Sequence, residues 1–323
     1  MQNCERYFLV VAEELNITKA AKKVFVSQQS MSSHMKRMEE IYNVQLFVRK
    51  PKFGLTEAGE RLADTLRKIK QLEDNLQTEL RESENSNVGK LHVGMTWSRS
   101  VALLPLVLHR FLQEYPHVEV TVHNNLTDNL ENRLIRGYLD LAISTADVDA
   151  AGLEVIPLQK ENIYCVISDR LIRKHFPKMK AEEKEKLHRE GVRLEQLRGI
   201  PLIMNTNEEH FSGILSPLLE EPGQEILFRS DSSDIRSQMC GMDLGYSIFA
   251  GLLMEYVYRQ NTFQPEDNKL NVFPLIDAPP YNMVAYYHKS SFSPKYIRGF
   301  VEILQNVVTE ILSGEIRGLR PVK

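Results

Sequence analysis

Residues 7–60 read YFLVVAEELNITKAAKKVFVSQQSMSSHMKRMEEIYNVQLFVRKPKFGLTEAGE, and this stretch decides the fold of the amino-terminal part of the chain. Apolar residues recur in it with the period of an α-helix, which predicts three short helices. The first helix should end at Asn16, with Thr18 capping the second helix and Ser27 capping the third. The third helix is expected to bury Met31, Met35, Met38 and Ile41.

Two short helices joined by a tight turn predict a helix-turn-helix, and the exposed face of the last helix suits DNA. Glutamine can form two hydrogen bonds to adenine, and serine can reach the edges of several bases. Polar side chains cover most solvent-exposed helix faces, so a purely structural role is the alternative. The residues on this face are Gln28, Gln29, Ser32, Ser33, Lys36 and Arg37.

The segment LFVRKPKFGLT at residues 46–56 favours the DNA-binding interpretation, because it predicts a strand, a basic loop and a return strand. Between Thr18 and Lys52 the chain has eight basic and two acidic residues, a net charge of +6, whereas the whole chain carries −3. A basic patch confined to one segment is typical of a phosphate-binding surface. The predicted DNA contacts therefore also include Thr18, Ser27, Arg49, Lys50 and Lys52.

A long helix is predicted from Glu57 to Glu84. Its apolar residues lie near a heptad stripe that Glu73 interrupts, and an exposed stripe of this kind packs on a partner helix. We therefore expect dimerisation through this helix, with packing on its own domain as the alternative. The stripe consists of Leu62, Leu66, Ile69, Leu76 and Leu80. The polar run ESENSNVGK at residues 82–90 predicts a hinge or linker.

From Lys90 onward predicted strands alternate with helices, which indicates an α/β domain with a mostly parallel sheet. The predicted strands are LHVGM, VEVTVH, DLAIS, NIYCVIS, PLIMN, GYSIF and VAYYH. A domain of about 230 residues should form two lobes. The charged stretch Lys178–Arg189 is interpreted as a helical surface insertion.

Composition limits the class of protein. The 323 residues are 42% hydrophobic and 26% charged, which is ordinary for a globular chain of two or three domains. The sequence lacks a run of about 18 apolar residues and a signal-peptide pattern, so we expect a cytoplasmic protein without a membrane partner. Cys4, Cys165 and Cys240 form no CxxC pair and no metal-ligand spacing with histidine, so no metal or cofactor is expected.

The stretch at residues 7–60 resembles the N-terminal domain of LysR-type transcriptional regulators. The matching residues are Ala20–Ala21, Val26–Ser27–Gln28, Met31–Ser32, Glu39, Leu46–Phe47, Arg49 and Leu55–Thr56–Glu57–Ala58–Gly59. The chain departs from the family pattern at Gln29, where a proline is usual, at Met31, where a leucine is usual, and at Asn43, where a glycine is common.

Later segments, among them LHVGM, FLQEYPHVEV, LIRGYLDLAI and LGYSIF, resemble the periplasmic-binding-protein-like effector domain of the same family. The resemblance implies a regulator that binds double-stranded promoter DNA and a small-molecule effector, such as an organic acid or another metabolite. It also implies a homodimer or homotetramer and contact with RNA polymerase.

The effector is expected in the cleft between the lobes, because ligands of open α/β sheets bind at the carboxyl ends of the strands. Residues 96–100 follow one strand and begin a helix, where free N–H groups attract anions. Arg99 would add positive charge, whereas Trp97 is expected to pack, and capping of the helix is the structural alternative for the serines. The effector candidates are Thr96, Trp97, Ser98, Arg99, Ser100, Ser144, Thr145, Asn205 and Thr206.

The predicted fold class is mixed, with a mainly α winged helix-turn-helix, a linker helix and a two-lobed α/β effector domain. The expected boundaries are 1–59, 60–89 and 90–323, with lobe I at about 90–163 and 270–323 and lobe II at about 164–269. Two other classes remain open, an enzyme tethered to DNA and a transport solute-binding protein. The second part of the chain lacks GxSxG, P-loop and GxGxxG motifs, so we expect a regulator that is not an enzyme.

Overall fold

The computed structural model describes residues 3–48, 52–82, 88–124, 127–144, 152–206, 215, 224–288, 294–314, 316–317 and 320–321. A small helical domain with a two-stranded wing comes first, a long helix follows, and two α/β lobes come last. This architecture confirms the predicted fold class.

The first domain packs three helices and a short hairpin around a core that includes Phe8, Met31 and Leu46. Its elements are α1 (Asn3–Glu14), α2 (Ile17–Lys23), α3 (Gln28–Tyr42), β1 (Phe47–Val48) and β2 (Gly54–Leu55). Strands β1 and β2 pair antiparallel, which confirms the predicted wing hairpin.

The cap of α2 differs from the prediction, and the cap of α3 agrees with it. Asn16 has an extended backbone, and its side-chain oxygen accepts a hydrogen bond from the Lys19 N–H at 3.0 Å. Thr18 therefore lies inside the first turn of α2 and is not its cap. At α3 the Ser27 hydroxyl accepts from the Ser30 N–H at 3.1 Å, as predicted.

The predicted buried stripe of α3 is wrong at its last member. Met31, Met35 and Met38 are buried, but Ile41 is 58% exposed. A helix turns about 100° per residue, so Ile41 lies roughly 80° around the helix from Met31 and faces away from the core. The helix then ends at Asn43, which adopts the left-handed conformation with φ 49°.

Two residues of the family pattern hold the wing against the helices. Glu39 accepts hydrogen bonds from the backbone N–H groups of Leu46 and Phe47 at 2.9 and 3.3 Å. A Cβ at Gly59 would lie 2.1 Å from the Leu46 carbonyl oxygen, so only glycine permits this close approach. The start of the wing at Leu46 and Phe47 is therefore held by α3 and by the helix that follows the wing.

The long helix α4 (Glu57–Glu82) belongs to two environments. Its first turns complete the core of the first domain, where Leu66 is 2% exposed and Leu62 is partly buried. These two residues are therefore not part of an exposed stripe, contrary to the prediction. Ile69, Leu76 and Leu80 are 40%, 53% and 62% exposed.

Each lobe contains a five-stranded sheet. Lobe I has the order β4-β3-β5-β12-β6 and lobe II the order β11-β7-β10-β8-β9. The strands of lobe I are β3 (Val88–Met95), β4 (His117–Asn124), β5 (Leu141–Ser144), β6 (Leu153–Glu161) and β12 (Tyr281–His288). The strands of lobe II are β7 (Ile163–Ser168), β8 (Leu202–Met204), β9 (Ile226–Arg229), β10 (Tyr246–Ala250) and β11 (Leu270–Pro274).

Both sheets are mixed and not mostly parallel. In lobe I, β3 pairs parallel with β4 and β5, whereas β12 pairs antiparallel with β5 and β6. In lobe II, β8 pairs parallel with β9 and β10, whereas β7 pairs antiparallel with β10 and β11. Because β11 pairs with β7, residues 270–274 belong to lobe II, although the predicted boundary assigned them to lobe I.

Helices cover the sheets of both lobes. They are α5 (Trp97–Glu114), α6 (Thr127–Ile135), α7 (Asp169–His175), α8 (Ala181–Glu190), α9 (Ser233–Gly241), α10 (Met254–Phe263) and α11 (Lys295–Ser313). In lobe I, α5 and α11 pack together, and Phe111 meets Phe300 edge to face with ring centres 5.2 Å apart. Among the helices that the structure describes, none is both long and apolar enough to cross a membrane.

Candidate DNA interface and effector cleft

The amino-terminal end of α3 carries a continuous exposed polar surface. The predicted DNA contacts within the described ranges are all exposed: Thr18, Ser27, Gln28, Gln29, Ser32, Ser33, Lys36, Arg37 and Lys52. Arg49 and Lys50 lie outside the described residues. Short side chains at the start of α3 would let this end enter a major groove.

The basic charge of this surface is partly balanced inside the domain. The Lys23 ammonium lies 2.8 Å from Glu14 and 3.6 Å from Glu13, and the hydrogen bond to Glu14 raises the pKa of Lys23. The same contact lowers the pKa of Glu14. Lys36 lies 3.8 Å from Glu40, a looser pair on an exposed helix face. Lys23 therefore connects α2 to α1.

Phe25 is a feature of this surface that the sequence pattern did not single out. Its side chain is 96% exposed, and its backbone has a φ of 57°, which is unfavourable for a bulky residue. It lies in the turn between α2 and α3. An aromatic residue between the basic end of α2 and the polar start of α3 is the signal that could have identified it.

The effector cleft brings together the amino-terminal ends of two helices from different lobes. The hydroxyl oxygens of Ser98 in α5 and Ser233 in α9 are 3.1 Å apart. The Tyr256 hydroxyl donates to the Ser98 carbonyl oxygen at 3.4 Å, and burial raises the pKa of Tyr256. The starts of the two helices therefore meet between the lobes.

Arg99 points toward the connection between the lobes. Its guanidinium lies 3.0 Å from Glu161, and the side chains are 9% and 0% exposed. The second carboxylate oxygen of Glu161 accepts from the Leu252 N–H at 3.2 Å. Because Glu161 ends the last strand before the chain enters lobe II, this buried pair joins α5 to the crossover between the lobes.

The other candidates from lobe I lie at the carboxyl end of β5 and where β3 leads into the first turn of α5. The Ser100 hydroxyl donates to the Thr96 carbonyl oxygen at 3.1 Å and also contacts the Asn124 side chain. Ser144 is fully buried, and within the described part of the chain its hydroxyl has no hydrogen-bond partner. Trp97 is 65% exposed, so its indole lies at the rim and is not packed as expected.

On the lobe II side, the Asn205 carbonyl oxygen accepts from Arg229 at 3.4 Å, and Thr206 is exposed. Thr145 lies outside the described residues. Sequence reasoning missed Arg236, which is 3% exposed and donates to the Ser233 hydroxyl at 3.1 Å and the Ile248 carbonyl at 2.9 Å. Arg236 thereby holds the start of α9 against β10.

The linker helix α4 contacts lobe I at the far end of two strands that lead to the cleft. The Arg67 guanidinium carbon lies 3.9 Å from the centre of the Tyr138 ring. The Gln71 side chain donates to the Leu139 carbonyl oxygen at 3.4 Å and to the Asp140 carboxylate. Asp140 also accepts from the His92 backbone N–H at 2.7 Å. The contact thus connects α4 to β3 and to the start of β5.

Two family models match the chain in succession. Residues 5–60 match the bacterial regulatory helix-turn-helix protein, lysR family, and residues 84–309 match the LysR substrate binding domain. The second match alone covers more than half of the chain. The chain belongs to the LysR family. This LysR-type transcription regulator therefore combines a DNA-binding helix-turn-helix with an effector-binding domain, as the resemblance implied.

Similar proteins support the same architecture. The Hca operon transcriptional activator HcaR of Escherichia coli (strain K12) is 27% identical over 315 residues, which cover 95% of this chain and 97% of HcaR. Full-length OxyR from Pseudomonas aeruginosa, solved as a point variant, shares the fold with a TM-score of 0.72 at 20% identity, covering 95% and 94% of the two chains. The structure of full-length CbnR complexed with its target DNA has a TM-score of 0.62 at 20% identity, and the match covers 95% of this chain and 100% of CbnR.

Two of the three cysteines of this LysR-type regulator are packed in its interior, and Cys4 is partly buried. Cys165 and Cys240 are both fully buried. Burial raises the pKa of Cys165 and raises that of Cys240 to about 12. A thiol with such a pKa stays protonated at neutral pH and is a poor nucleophile, in agreement with the expected packing role.

Proposed function

We propose that this LysR-type regulator works as a homo-oligomer that binds an organic acid or a similar polar metabolite in the cleft between its lobes. The observation that carries the proposal is the contact between Ser98 and Ser233, which joins two helix starts across the cleft. Helix starts offer unpaired N–H groups and a partial positive charge, so a carboxylate between them would be stabilised from both lobes.

The effector contacts would come mainly from hydroxyl groups. Thr96, Ser98, Ser100 and Ser144 would bind it from lobe I, with Thr145 beside them. Asn205 and Thr206 would approach it from lobe II, and Trp97 would cover the rim. Arg99 contributes indirectly, because its pair with Glu161 fixes the crossover against α5.

For DNA, Gln28, Gln29, Ser32 and Ser33 would contact base edges in the major groove. The remaining contacts would be to phosphates and would come from Thr18, Ser27, Lys36, Arg37, Arg49, Lys50 and Lys52. Loss of a base contact should relax sequence preference, whereas loss of a phosphate contact should weaken binding to every duplex.

The effector would influence the linker helix through β3 and β5. Both strands lead from the Gln71–Asp140 contact to the cleft, and the four steps along the chain from Asp140 to Ser144 span about 13 Å. A shift of the helix start at Ser98 would therefore be passed along a hydrogen-bonded sheet to α4. Gln71→Ala should reduce the change in DNA affinity that the effector causes, with Lys70→Ala as the control on the same helix.

Dimerisation would use the exposed apolar stripe of α4. Ile69, Leu76 and Leu80 lie on it, and Leu72 beside them is 45% exposed. Isolated apolar side chains on a surface need no explanation, but an aligned stripe on one helix favours a partner helix. Two dimers would then form a tetramer. The regulator would be cytoplasmic because its promoter DNA is there, would contact RNA polymerase and would have no enzymatic activity.

A double charge in the stripe tests dimerisation. Ile69→Glu with Leu76→Glu should give a monomer in sedimentation velocity. Lys70→Glu with Gln77→Glu is the control, because it adds negative charge to exposed positions of α4 beside the stripe. A stable dimer of the first variant would contradict this dimer interface.

Effector binding is tested by a thermal-shift screen of the full chain against small organic acids and other metabolites. A specific ligand should raise the melting temperature by mass action. Each lost hydrogen bond is worth about 0.5–1.5 kcal/mol, so Ser98→Ala and Ser144→Ala should each raise the Kd roughly 2- to 10-fold. Ser313→Ala on α11 is the control. A ligand bound equally well by both cleft variants would contradict the proposed cleft.

A further inference from the structure

Helix α8 of lobe II lines an open cavity, away from the cleft between the lobes. Helix α8 lies over the sheet of lobe II near β11, and the space beneath it has a volume of about 530 Å³. Small-molecule sites have volumes of about 300–1,000 Å³, so this cavity has the size of a ligand site.

Polar contacts on one side of α8 hold it in place above the cavity. Lys184 forms a salt bridge with Asp169 at the start of α7. His188 contacts the Val272 carbonyl oxygen at 3.1 Å, and its ring centre lies 4.6 Å from that of Phe273. These attachments fix the helix to α7 and β11 without filling the space beneath it.

The chain after α8 closes one end of the cavity. Gly191 has a φ of +87°, and a Cβ there would lie 2.5 Å from both the Pro274 carbonyl oxygen and Ile276. The Val192 N–H then donates to the same Pro274 carbonyl at 2.7 Å. Glycine is therefore needed at this position, and the end wall is built into the backbone.

Apolar side chains form the floor and the roof. They include Ile167, Ile172, Phe176, Met179, Leu187 and Phe273. Two of the six are aromatic, and methionine sulfur makes favourable contacts with aromatic rings. An aromatic ligand would therefore find matching surfaces on several sides.

The charged residues at the mouth come in both signs. Lys186 and Glu190 pair with each other at 3.6 Å, and Glu183, Arg193 and Glu195 also line the opening. Acidic residues therefore accompany the basic ones, and the apolar interior offers a charged ligand no compensation for its lost hydration. The mouth thus favours an uncharged ligand, in contrast to the cleft between the lobes.

The cavity and the cleft lie on opposite faces of the lobe II sheet. Ile167 lines the cavity from β7, and Phe273 pairs with Cys165 two residues earlier, so these side chains share one face. Ser247 pairs with Val166 on the other face, where its hydroxyl is 3.2 Å from Arg236 of α9. A ligand beneath α8 would therefore be separated from the cleft by the sheet.

We infer that this regulator has a second ligand site beneath α8, which takes an uncharged aromatic molecule. The ligand replaces water in an apolar space and contacts both α8 and the sheet of lobe II. The inference uses no residue of the proposed effector cleft.

The test is a fluorescence titration of the full chain with N-phenylnaphthylamine, an uncharged aromatic probe that brightens in apolar surroundings. The expected result is saturable binding of one probe per chain. Leu187→Trp and Met179→Trp place larger rings in the cavity from two sides, and each should raise the Kd of the probe at least about tenfold. Glu185→Trp is the control, because it adds the same ring on an exposed part of α8 outside the lining.

Melting curves and circular dichroism show which variants are folded. Leu187→Trp and Met179→Trp both fill the cavity, so the test remains decisive if one of these filling variants fails to fold. Binding that is not saturable, or that both folded filling variants leave unchanged, would overturn the inference. Ser98→Phe blocks the cleft instead. If Ser98→Phe abolished probe binding while Leu187→Trp preserved it, the probe would bind in the cleft. That result would exclude the second site but would leave the proposed effector site in the cleft unaffected.

Discussion

The DNA-binding surface and the effector cleft both use the start of a helix, but they draw on very different lengths of chain. The predicted DNA contacts that fall within the described residues lie between Thr18 and Lys52 and are carried by adjacent elements. The cleft is closed by Ser98 and Ser233, which are 135 residues apart. A local surface can be altered without unfolding the protein, whereas a site assembled from distant segments depends on the buried contacts that hold those segments together.

The largest expected effect is at the buried pair beside the cleft. Arg99→Met leaves the Glu161 carboxylate buried without its guanidinium and should lower the free energy of unfolding of the effector domain by about 3–5 kcal/mol. Urea denaturation of the full chain, followed by intrinsic fluorescence, measures this loss. The double variant Arg99→Met with Glu161→Leu removes both charges and should recover most of it. A single variant as stable as the double variant would contradict the role of the pair.

Much of this architecture could be predicted from the sequence, and the strands of the two lobe sheets that were missed share a property. β6, β9 and β11 are all edge strands of their sheets. Edge strands tolerate proline and polar residues, as at Pro157 in β6 and Pro274 in β11, and such residues interrupt the sequence pattern of a strand. All four side chains of β9 are exposed.

The candidate site residues also divide into those that a local sequence pattern predicts and those that it does not. Ser27 and the exposed glutamines of α3 follow from local periodicity, because the face of a helix is fixed by spacing alone. Arg99 was predicted to meet the effector, yet it pairs with Glu161, 62 residues away. Arg236 and Ser233 were missed because their positions depend on tertiary contacts that no local pattern encodes.

A smaller loss of stability should distinguish Asn16 from Thr18 as the cap of α2 in the DNA-binding domain. Asn16→Ala removes the side-chain acceptor for the Lys19 N–H and should lower stability by about 1 kcal/mol. Thr18→Ala, inside the first turn, should change it by less than half of that. Thermal unfolding of the two variants measures the difference. Equal losses would show that the cap is assigned to the wrong residue.

The smallest expected effect is a dependence of lobe I stability on pH. Arg110 and Glu310 join α5 to α11 through hydrogen bonds, one of 2.8 Å, and the pair lowers the pKa of Glu310 below its ordinary value of 4.5. The unfolded chain binds this proton more readily, so the contribution is complete above pH 4.5 and is lost as pH falls through the lower pKa of the folded state.

Glu310→Gln should therefore be less stable than the unaltered chain by less than about 1 kcal/mol near pH 7. The gap should narrow as the pH falls below 4.5. Urea titrations at a series of pH values measure it. A gap that widens in acid would contradict the assigned sign.

The most direct test of the central claim, that α3 reads promoter DNA, is selection of bound duplexes from a random library with the full chain and with Gln28→Ala. The unaltered regulator should enrich a two-fold symmetric sequence. The variant should lose preference at one position in each half-site and retain its affinity for unrelated duplexes, because a good pair of hydrogen bonds to a base is worth about 1–3 kcal/mol of discrimination. Identical enriched sequences from both proteins would contradict a base contact at Gln28, and the absence of any enriched sequence would contradict the assignment of α3.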